Sequence, residues 1–349
     1  MQRIVIALFF IPLLSIAQSG GSTAYSFMEM PVQARVASLG GNLISVKDDD
    51  ATLGMDNPSL LNANMHNALS LTYVNYISDI NYGMFSYVRD YSKWGTFSSG
   101  IRYLNYGKFT ETDENANVLG TYKAAEYLFH AGWGKEIDSL FSIGANFKTI
   151  YSSLQTYRSL AIGFDLAGTY FNSKRGVTAS ALIKNAGISV KSYTPNHREK
   201  LPFELQAGIS KKWENMPFRF SFILHNLQQF KLSYPDSTTH SLNPLQEEKK
   251  IKKFSGNLLR HLIVGMEFMP TKNFALRFGF NYNRRKELML ATRPGIVGFT
   301  AGLGFKVNRF HLSYALAAQH LGAFSNHISI STKISDFYSP IKPEVIHTE

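Results

Sequence analysis

The chain of 349 residues contains no cysteine. A disulfide framework and a thiolate metal site are therefore both excluded, and the protein must be stable by other means. Charged residues are also scarce, at 17% of the sequence, whereas soluble domains average about 25%. The low charged fraction indicates that part of the protein's surface does not face water.

Long apolar runs are scarce as well. One run, from Ile4 to Leu14, follows the basic residue Arg3 and precedes a small-x-small sequence that ends at Ala17. A transmembrane helix needs about 20 apolar residues, so this shorter run favours a secretory signal peptide over a membrane anchor helix. We expect residues 1–17 to be removed and the rest of the chain to be exported.

What the sequence does contain is a series of segments in which large apolar residues alternate with polar or small ones. In NFALRFGFNYN (273–283), the apolar residues are Phe274, Leu276, Phe278 and Phe280. Strict alternation with period two predicts a β-strand with one apolar face and one polar face.

Fourteen such segments follow one another from residue 67 onward. They are 67–77, 80–89, 93–106, 121–136, 139–151, 158–171, 175–185, 201–213, 217–226, 258–269, 273–283, 293–307, 309–319 and 324–334. Strands of about ten residues are typical of a transmembrane β-barrel wall, whereas strands in soluble proteins most often have about 5–6 residues.

Short and long connections alternate between these segments. Turns such as 90–92 and 136–138 are followed by longer connections such as 107–120, 152–157 and 227–257. Outer-membrane barrels have short periplasmic turns and longer outer loops, and a soluble sandwich with Greek-key crossings would not give this order. The sequence therefore predicts an all-β fold, a transmembrane outer-membrane β-barrel of about 14 antiparallel strands.

The barrel interpretation divides the chain into four parts. They are a signal peptide (1–17), an N-terminal plug or hatch (18–66), the barrel (67–334) and a periplasmic C-terminal tail (335–349). In the strand at 273–283, the four apolar residues are expected to face lipid, while Arg277 and Asn281 face a plugged lumen. Tyr282 is expected near the outer membrane interface, where aromatic girdles lie.

The sequence shows no pattern of an enzyme active site, since GxSxG and HExxH are both absent. The run from Asp48 to Asp50 lacks the ligand spacing of a Ca²⁺ loop, so we interpret it as a solvated acidic turn. Four histidines fall on or near lumenal faces, namely His130, His225, His261 and His311. We therefore expect no catalytic residue, no metal and no cofactor.

The net charge is +11, which suits contact with anionic lipid or lipopolysaccharide phosphates. Solubility of the loops explains the same charge equally well, and a nucleic-acid partner is not expected for an exported chain. The loops 227–257 and 284–292 are the best candidates for partner contact because they are long and lie on the predicted outer side. Candidate contacts with a partner or with lipopolysaccharide are Arg284, Arg285, Lys286, Lys249 and Lys250.

Several stretches of the exported chain resemble PorQ, a family of outer-membrane components of the type IX secretion system in Bacteroidetes-type bacteria. The stretches are GGSTAYSFMEMPVQARVASLGG (20–41), DNPSLL (56–61), YVNYISDINYG (73–83), YLNYGKF (103–109), EKLPFEL (199–205), NLQQF (226–230), LLRHLIVGMEF (258–268) and AGLGFKVN (301–308). The family is similar to FadL-type barrels of fourteen strands, whose N-terminal hatch carries an Asn-Pro-Ala motif. This chain has Ser59 in place of that Ala, and the resemblance implies a plug motif made of Asn57, Pro58, Gly40 and Gly41.

The resemblance implies a role without catalysis. A PorQ-like barrel would hold a PorZ-like partner at the cell surface, in an attachment complex with the PorU sortase and the PorV barrel. That complex removes a C-terminal signal from secreted cargo and joins the cargo to anionic lipopolysaccharide. The alternative, implied by the similarity to FadL-type barrels, is a transporter or channel for hydrophobic small molecules.

Overall fold

A computed structural model describes residues 23–195, 198–230, 232, 256–288, 295–320 and 323–338. Fourteen strands form a closed barrel in which each strand is antiparallel to both of its neighbours. The first and last strands close it, with Ala68 opposite Lys333 and Asn75 opposite Asn326. Closure leaves no strand edge unpaired. A sheet can cross lipid only if it is closed in this way, because lipid offers no hydrogen-bond partners for an open edge. The predicted fold class is confirmed.

The strands are β1 (Ala68–Asn75), β2 (Asn81–Asp90), β3 (Thr96–Thr112), β4 (Val118–Glu136), β5 (Phe141–Leu154), β6 (Tyr157–Asn172), β7 (Val177–Lys191), β8 (Glu204–Lys212), β9 (Phe218–Leu224), β10 (Leu262–Thr271), β11 (Phe274–Asn281), β12 (Phe299–Val307), β13 (Phe310–His320) and β14 (Ala323–Lys333). The short helices include α1 (Ala34–Ser38), α2 (Tyr282–Leu288) and α3 (Ser335–Tyr338). Residues 256–260 are also helical. The 3₁₀ turns span Ser26–Glu29, Ala51–Met55, Pro58–Leu60, Ala63–Met65 and Ser92–Trp94.

In the described part of the chain, no helix has both the length and the apolar character needed to cross a membrane.

The residues that alternate in the sequence lie on two faces of each strand, one facing lipid and the other facing the lumen. On β11, Phe278 is 49% exposed on the outside of the barrel, whereas Arg277 is 9% exposed on the inside. Other strands show the same outward apolar face, and many of their inward residues are polar, as with Leu71 outward and Thr72 inward on β1. The outward apolar band is the surface that lipid covers.

The connections at one end of the barrel are all short and lie at the predicted positions. They join β2 to β3, β4 to β5, β6 to β7, β8 to β9, β10 to β11 and β12 to β13. By the usual construction of outer-membrane barrels this is the periplasmic end.

The other end differs from the prediction, because two expected loops are largely strand. β3 continues to Thr112 and β4 begins at Val118, so most of the predicted loop 107–120 belongs to a hairpin. The predicted loop 152–157 shrinks to two residues between β5 and β6. The alternation fades in these extensions because no lipid faces them, while cross-strand pairs such as the stacked rings of Phe109 and Tyr122 hold them together.

The segment 273–283 also ends earlier than predicted. β11 stops at Asn281, and Tyr282 begins α2 instead of ending a strand. The reason is local, since the Asn281 side-chain oxygen accepts a hydrogen bond from the Arg284 amide at 3.0 Å and so caps the new helix.

Residues 23–66 lie inside the barrel, and we call this segment the hatch. Its helix α1 packs against β11 to β14, and its turn Pro58–Leu60 packs against β4 to β6. Most of its apolar side chains are buried, including Leu43, Leu53 and Leu60. The predicted signal peptide, 1–17, lies outside the described residues, as does most of the predicted tail beyond α3.

The assigned faces can be tested with one charge placed on each side of β11. Phe278→Lys is expected to lower the free energy of unfolding by about 2–4 kcal/mol, because the ammonium would lie against lipid near the midplane. Ala275→Lys is expected to cost much less, since Ala275 faces the lumen and lines the cavity at the periplasmic mouth. Unfolding by urea in lipid vesicles measures both, and equal losses would contradict the assigned faces.

Candidate functional site

The hatch is fixed to the wall at the periplasmic end by Arg35 of α1. Its guanidinium donates from Nε to Glu267 Oε1 at 3.0 Å, and from its two terminal nitrogens to Asp50 at 3.0 Å and Asp48 at 2.8 Å. The Arg35 side chain is only 7% exposed. One hatch cation therefore holds two hatch carboxylates and one wall carboxylate together.

Glu267 of β10 is the wall side of this network. Besides Arg35, it accepts from Arg219 of β9 at 2.8 Å and from Arg277 of β11 at 3.0 Å. These wall residues lie opposite one another in the β-ladder, with Glu267 paired to both arginines. We call Arg35, Asp48, Asp50, Arg219, Glu267 and Arg277 the hatch latch.

The latch corrects the interpretation of the run Asp48–Asp50 as a solvated turn. Burial raises the pKa of Asp48, but the nearby guanidinium groups of Arg35 and Arg219 outweigh it and lower that pKa to about 2. Asp49 lies farther out, with its carboxylate 3.4 Å from the Lys333 ammonium. Asp48 thus stays ionised, and Asp48 and Asp50 both pair with the hatch cation Arg35.

Toward the outer half of the lumen the packing is apolar. The hatch side chains Tyr25, Phe27, Met28, Val32 and Met55 meet inward-facing residues of the wall. Those wall residues are Val74, Tyr82, Met84, Leu104, Leu128, Ile150 and Ala161, joined by Leu201. We call these thirteen residues the apolar lumenal cluster. Inward positions of a transmembrane barrel are usually polar. The apolar inward surface therefore distinguishes this lumen from that of an ordinary barrel.

Arg102 of β3 holds the first hatch turn over this cluster. One of its terminal nitrogens lies 3.1 Å from the Phe27 carbonyl and 3.2 Å from the Met28 carbonyl. The Phe27 carbonyl also accepts from the Met30 amide at 3.3 Å, so the guanidinium adds a second hydrogen bond at the end of the turn. The apolar side chains of the turn are thereby positioned against the wall.

The four residues of the predicted plug motif lie at two contacts between hatch and wall. The Asn57 side chain accepts from the Ser59 amide at 3.0 Å and donates to the Ile44 carbonyl at 2.6 Å. Pro58 packs so closely on β4 and β5 that a Cβ at Gly134 or Gly144 would collide with its backbone. The Ser59 hydroxyl lies 2.7 Å from that of Thr169 on β6 and so ties the motif to the wall.

Gly40 and Gly41 form the second contact, after α1. Both have positive φ, +91° and +97°, which favours glycine. The Gly40 amide donates to the Thr300 hydroxyl at 3.0 Å, and its carbonyl accepts from the Asn281 side chain at 3.2 Å. The chain reversal after α1 is therefore hydrogen-bonded to β11 and β12.

The structure places the predicted partner-contact residues in different environments. The Arg284 guanidinium points inward at Gly41 of the hatch. The Arg285 guanidinium lies at the outer end, 5.6 Å from the centre of the Phe299 ring, and Lys286 is exposed. Lys249 and Lys250 lie outside the described residues.

The latch was missed in sequence because its members are far apart. Arg35 and Glu267 are 232 positions apart, and neither belongs to a recognisable motif. One signal was present, since Glu267 and Arg277 are charges at inward positions of two consecutive, largely apolar strands. Opposite charges at such positions predict an ion pair inside the barrel.

Comparison with known proteins supports the architecture. No family model matches the chain, and no curated protein matches it. Among solved structures, the chain is similar to the toluene transporter TodX of Pseudomonas putida, with a TM-score of 0.52 and 12% identity over 86% of this chain and 96% of that chain. It is similar to the monoaromatic hydrocarbon channel CymD, with a TM-score of 0.50 and 11% identity over 87% of this chain and 98% of that chain. At these identities the likeness shows a shared fold.

Proposed function

We propose that this protein is a non-enzymatic outer-membrane channel for hydrophobic small molecules, closed by its hatch. The observation that carries the proposal is the apolar lumenal cluster. Its wall residues come from six consecutive strands, β1 to β6, and form an inward apolar surface that a water-filled pore does not need. Tyr25, Phe27 and Met28 of the hatch cover that surface.

The physical basis is that a hydrophobic solute can replace the first hatch turn on the apolar wall surface. When the first hatch turn moves away, the wall surface loses its cover and exposes apolar area to water, which is unfavourable at about 25 cal/mol per Å². A hydrophobic solute would cover the same area and offset that cost. The fold shared with TodX and CymD, described as a toluene transporter and a monoaromatic hydrocarbon channel, supports the same substrate class.

Toluene uptake by outer-membrane vesicles tests the proposal. We expect vesicles that contain the protein to take up toluene faster than vesicles without it. Leu128→Gln, which places an amide in the apolar lumenal cluster, is expected to lower the rate roughly tenfold, because an unpaired polar group in an apolar site costs about 1–3 kcal/mol. Leu166→Gln is the matched control, since Leu166 is 55% exposed on the lipid face. Uptake no faster than in empty vesicles would contradict the channel.

A second candidate is the surface anchor implied by the resemblance to PorQ, with a PorZ-like partner beside PorU and PorV. The observation that favours the anchor is the length of β3 and β4, which make one side of the barrel taller than a membrane requires. β3 has 17 residues and β4 has 19, whereas about 9–11 residues cross a membrane. The extensions of these strands form a ridge on which a soluble protein could dock.

Co-elution of the detergent-purified barrel with a PorZ-like protein distinguishes the two candidates. The anchor predicts a stable complex, and Arg285→Gln with Lys286→Gln is expected to weaken it. Arg284→Gln is not part of this test because that side chain contacts the hatch. If no complex forms and toluene passes, the anchor is wrong; a complex without toluene uptake would contradict the channel.

A further inference from the structure

A second cavity opens at the periplasmic rim, beside the hatch and away from the apolar lumenal cluster. It has a volume of about 850 Å³ and lies between the β6–β7 turn and the β8–β9 turn. Val46 and Lys47 of the hatch form part of its inner wall. We call it the rim cavity.

The rim cavity is strongly basic. Six cationic side chains line it against two carboxylates, those of Asp48 and Glu214. The cations are Lys47, Lys174, Arg175, Lys211, Lys212 and Arg219. Positive charges gathered around one concave site repel one another and concentrate anions.

Two of the six cations are already neutralised. Lys47 lies 2.8 Å from Glu136, and Arg219 pairs with Glu267 at 2.8 Å. For Lys174, Arg175 and Lys212, the described residues provide no carboxylate within ion-pair distance. Together with Lys211, which donates to a backbone carbonyl, these three cations line the cavity without a carboxylate partner among the described residues.

A backbone contact joins the two turns that carry these cations. The Lys212 amide donates to the Gly176 carbonyl at 2.8 Å, and Gly176 has φ +62°. A Cβ at Gly176 would collide with the Lys212 carbonyl, so the two turns fit only with glycine there. The backbone of Lys212 is thus joined to the turn that carries Lys174 and Arg175.

The lipid side of the cavity is amphipathic. Trp213 is 41% exposed and Met216 is 56% exposed, and both line the cavity. The Lys211 ammonium lies 5.9 Å from the centre of the Trp213 ring and donates to the Arg175 carbonyl. A tryptophan with a lysine beside it is typical of the membrane–water interface, where lipid headgroups lie.

From this arrangement we propose that the rim cavity binds an anionic phosphate group, that of a phospholipid headgroup in the periplasmic leaflet. Lys174, Arg175 and Lys212 would supply the counter-charge for the phosphate. Trp213 and Met216 would contact the glycerol and the upper acyl chains. The site is independent of what passes through, or docks on, the barrel.

Trp213 fluorescence provides the test. In a barrel with Trp94→Phe and Trp133→Phe, Trp213 is the remaining tryptophan. The probe is dibrominated phosphatidylglycerol at a low mole fraction in phosphatidylcholine nanodiscs, compared with dibrominated phosphatidylcholine at the same fraction. We expect phosphatidylglycerol to quench Trp213 more strongly.

The decisive variant carries Lys174→Gln, Arg175→Gln and Lys212→Gln. One cation near an anionic surface is worth about fivefold in affinity, so the apparent preference for phosphatidylglycerol should fall by more than tenfold. The matched control removes three cations elsewhere on the rim, with Lys93→Gln, Lys135→Gln and Arg309→Gln. Lys174→Arg with Lys212→Arg keeps both charges and should therefore keep the preference.

Three results would overturn the proposal. One is equal quenching by the two lipids, and another is a preference that persists in the triple cavity variant. The third is titration of inorganic phosphate into detergent-solubilised protein that changes Trp213 fluorescence while the lipids show no preference, since the ligand would then be the free anion. Loss of preference in the cavity variant alone supports the headgroup site.

Discussion

Replacing Glu267 with glutamine is expected to lower the free energy of unfolding by about 3–5 kcal/mol and to loosen the hatch. Glu267 is 2% exposed and lies within 3.0 Å of nitrogen atoms of Arg35, Arg219 and Arg277. Arg35 and Arg219 would keep Asp48 as a partner. Arg277 would lose the carboxylate that it pairs with, and breaking a buried ion pair by removing one partner has a cost of that size. Gln keeps the volume and a carbonyl acceptor, so the effect isolates the charge.

The measurement has two readouts. The temperature at which the barrel loses its compact mobility in a detergent gel reports stability, and protease added from the periplasmic side reports exposure of the hatch. Lys333→Gln is the control, since the ammonium lies 3.4 Å from Asp49 in a partly exposed pair, and such pairs contribute about 0–1 kcal/mol. Similar shifts in the two variants would show that the latch does not fix the hatch.

The barrel itself could be predicted from sequence because lipid imposes a strict rule on every strand that crosses it. The alternation in 273–283 identified both the strand and its faces, and Arg277 lies inside the barrel as expected. The same rule stops at the membrane surface. The extension of β3 to Thr112 lies beyond it and alternates too weakly to be recognised.

The site was less predictable because it depends on contacts between distant segments. Nothing near Arg35 indicates that its partner is Glu267, since the closed barrel alone brings them together. Arg284 shows the same limit. Its charge in a loop suggested surface contact, but the Asn281 cap begins a helix there and its guanidinium lies against Gly41. The sequence shows that a charged residue is present, but only the fold shows whether its side chain faces the surface or the interior.

The second large effect is expected at Gly279 of β11. A Cβ at this position would collide with the backbone of Leu39 and Gly40, so Gly279→Val cannot be accommodated by a side-chain rotation. Overpacking of this kind costs about 1–3 kcal/mol. The hatch is expected to move rather than the wall, because β11 is held by ladders to both β10 and β12.

Displacing the hatch here would also break its hydrogen bonds to the wall. The Gly40 amide would lose the Thr300 hydroxyl, and the Thr300 hydroxyl would lose the Ser38 carbonyl at 2.8 Å. We therefore expect Gly279→Val to raise single-channel conductance in planar bilayers and to expose the hatch to protease. Gly168→Val is the matched control, since a Cβ at Gly168 of β6 meets no atom within 4 Å.

Combining Gly279→Val with Glu267→Gln separates the two ways in which the hatch is held. Glu267 pairs with Arg277, two residues before Gly279 on β11, so the two sites share one wall segment. Neighbouring sites are usually non-additive, and once the hatch has left its seat the second change should add little. A combined loss smaller than the sum is therefore expected if both act through hatch release. Full additivity would mean that Gly279→Val disturbs the wall itself, and an unchanged conductance would mean that the lumen stays closed without this contact.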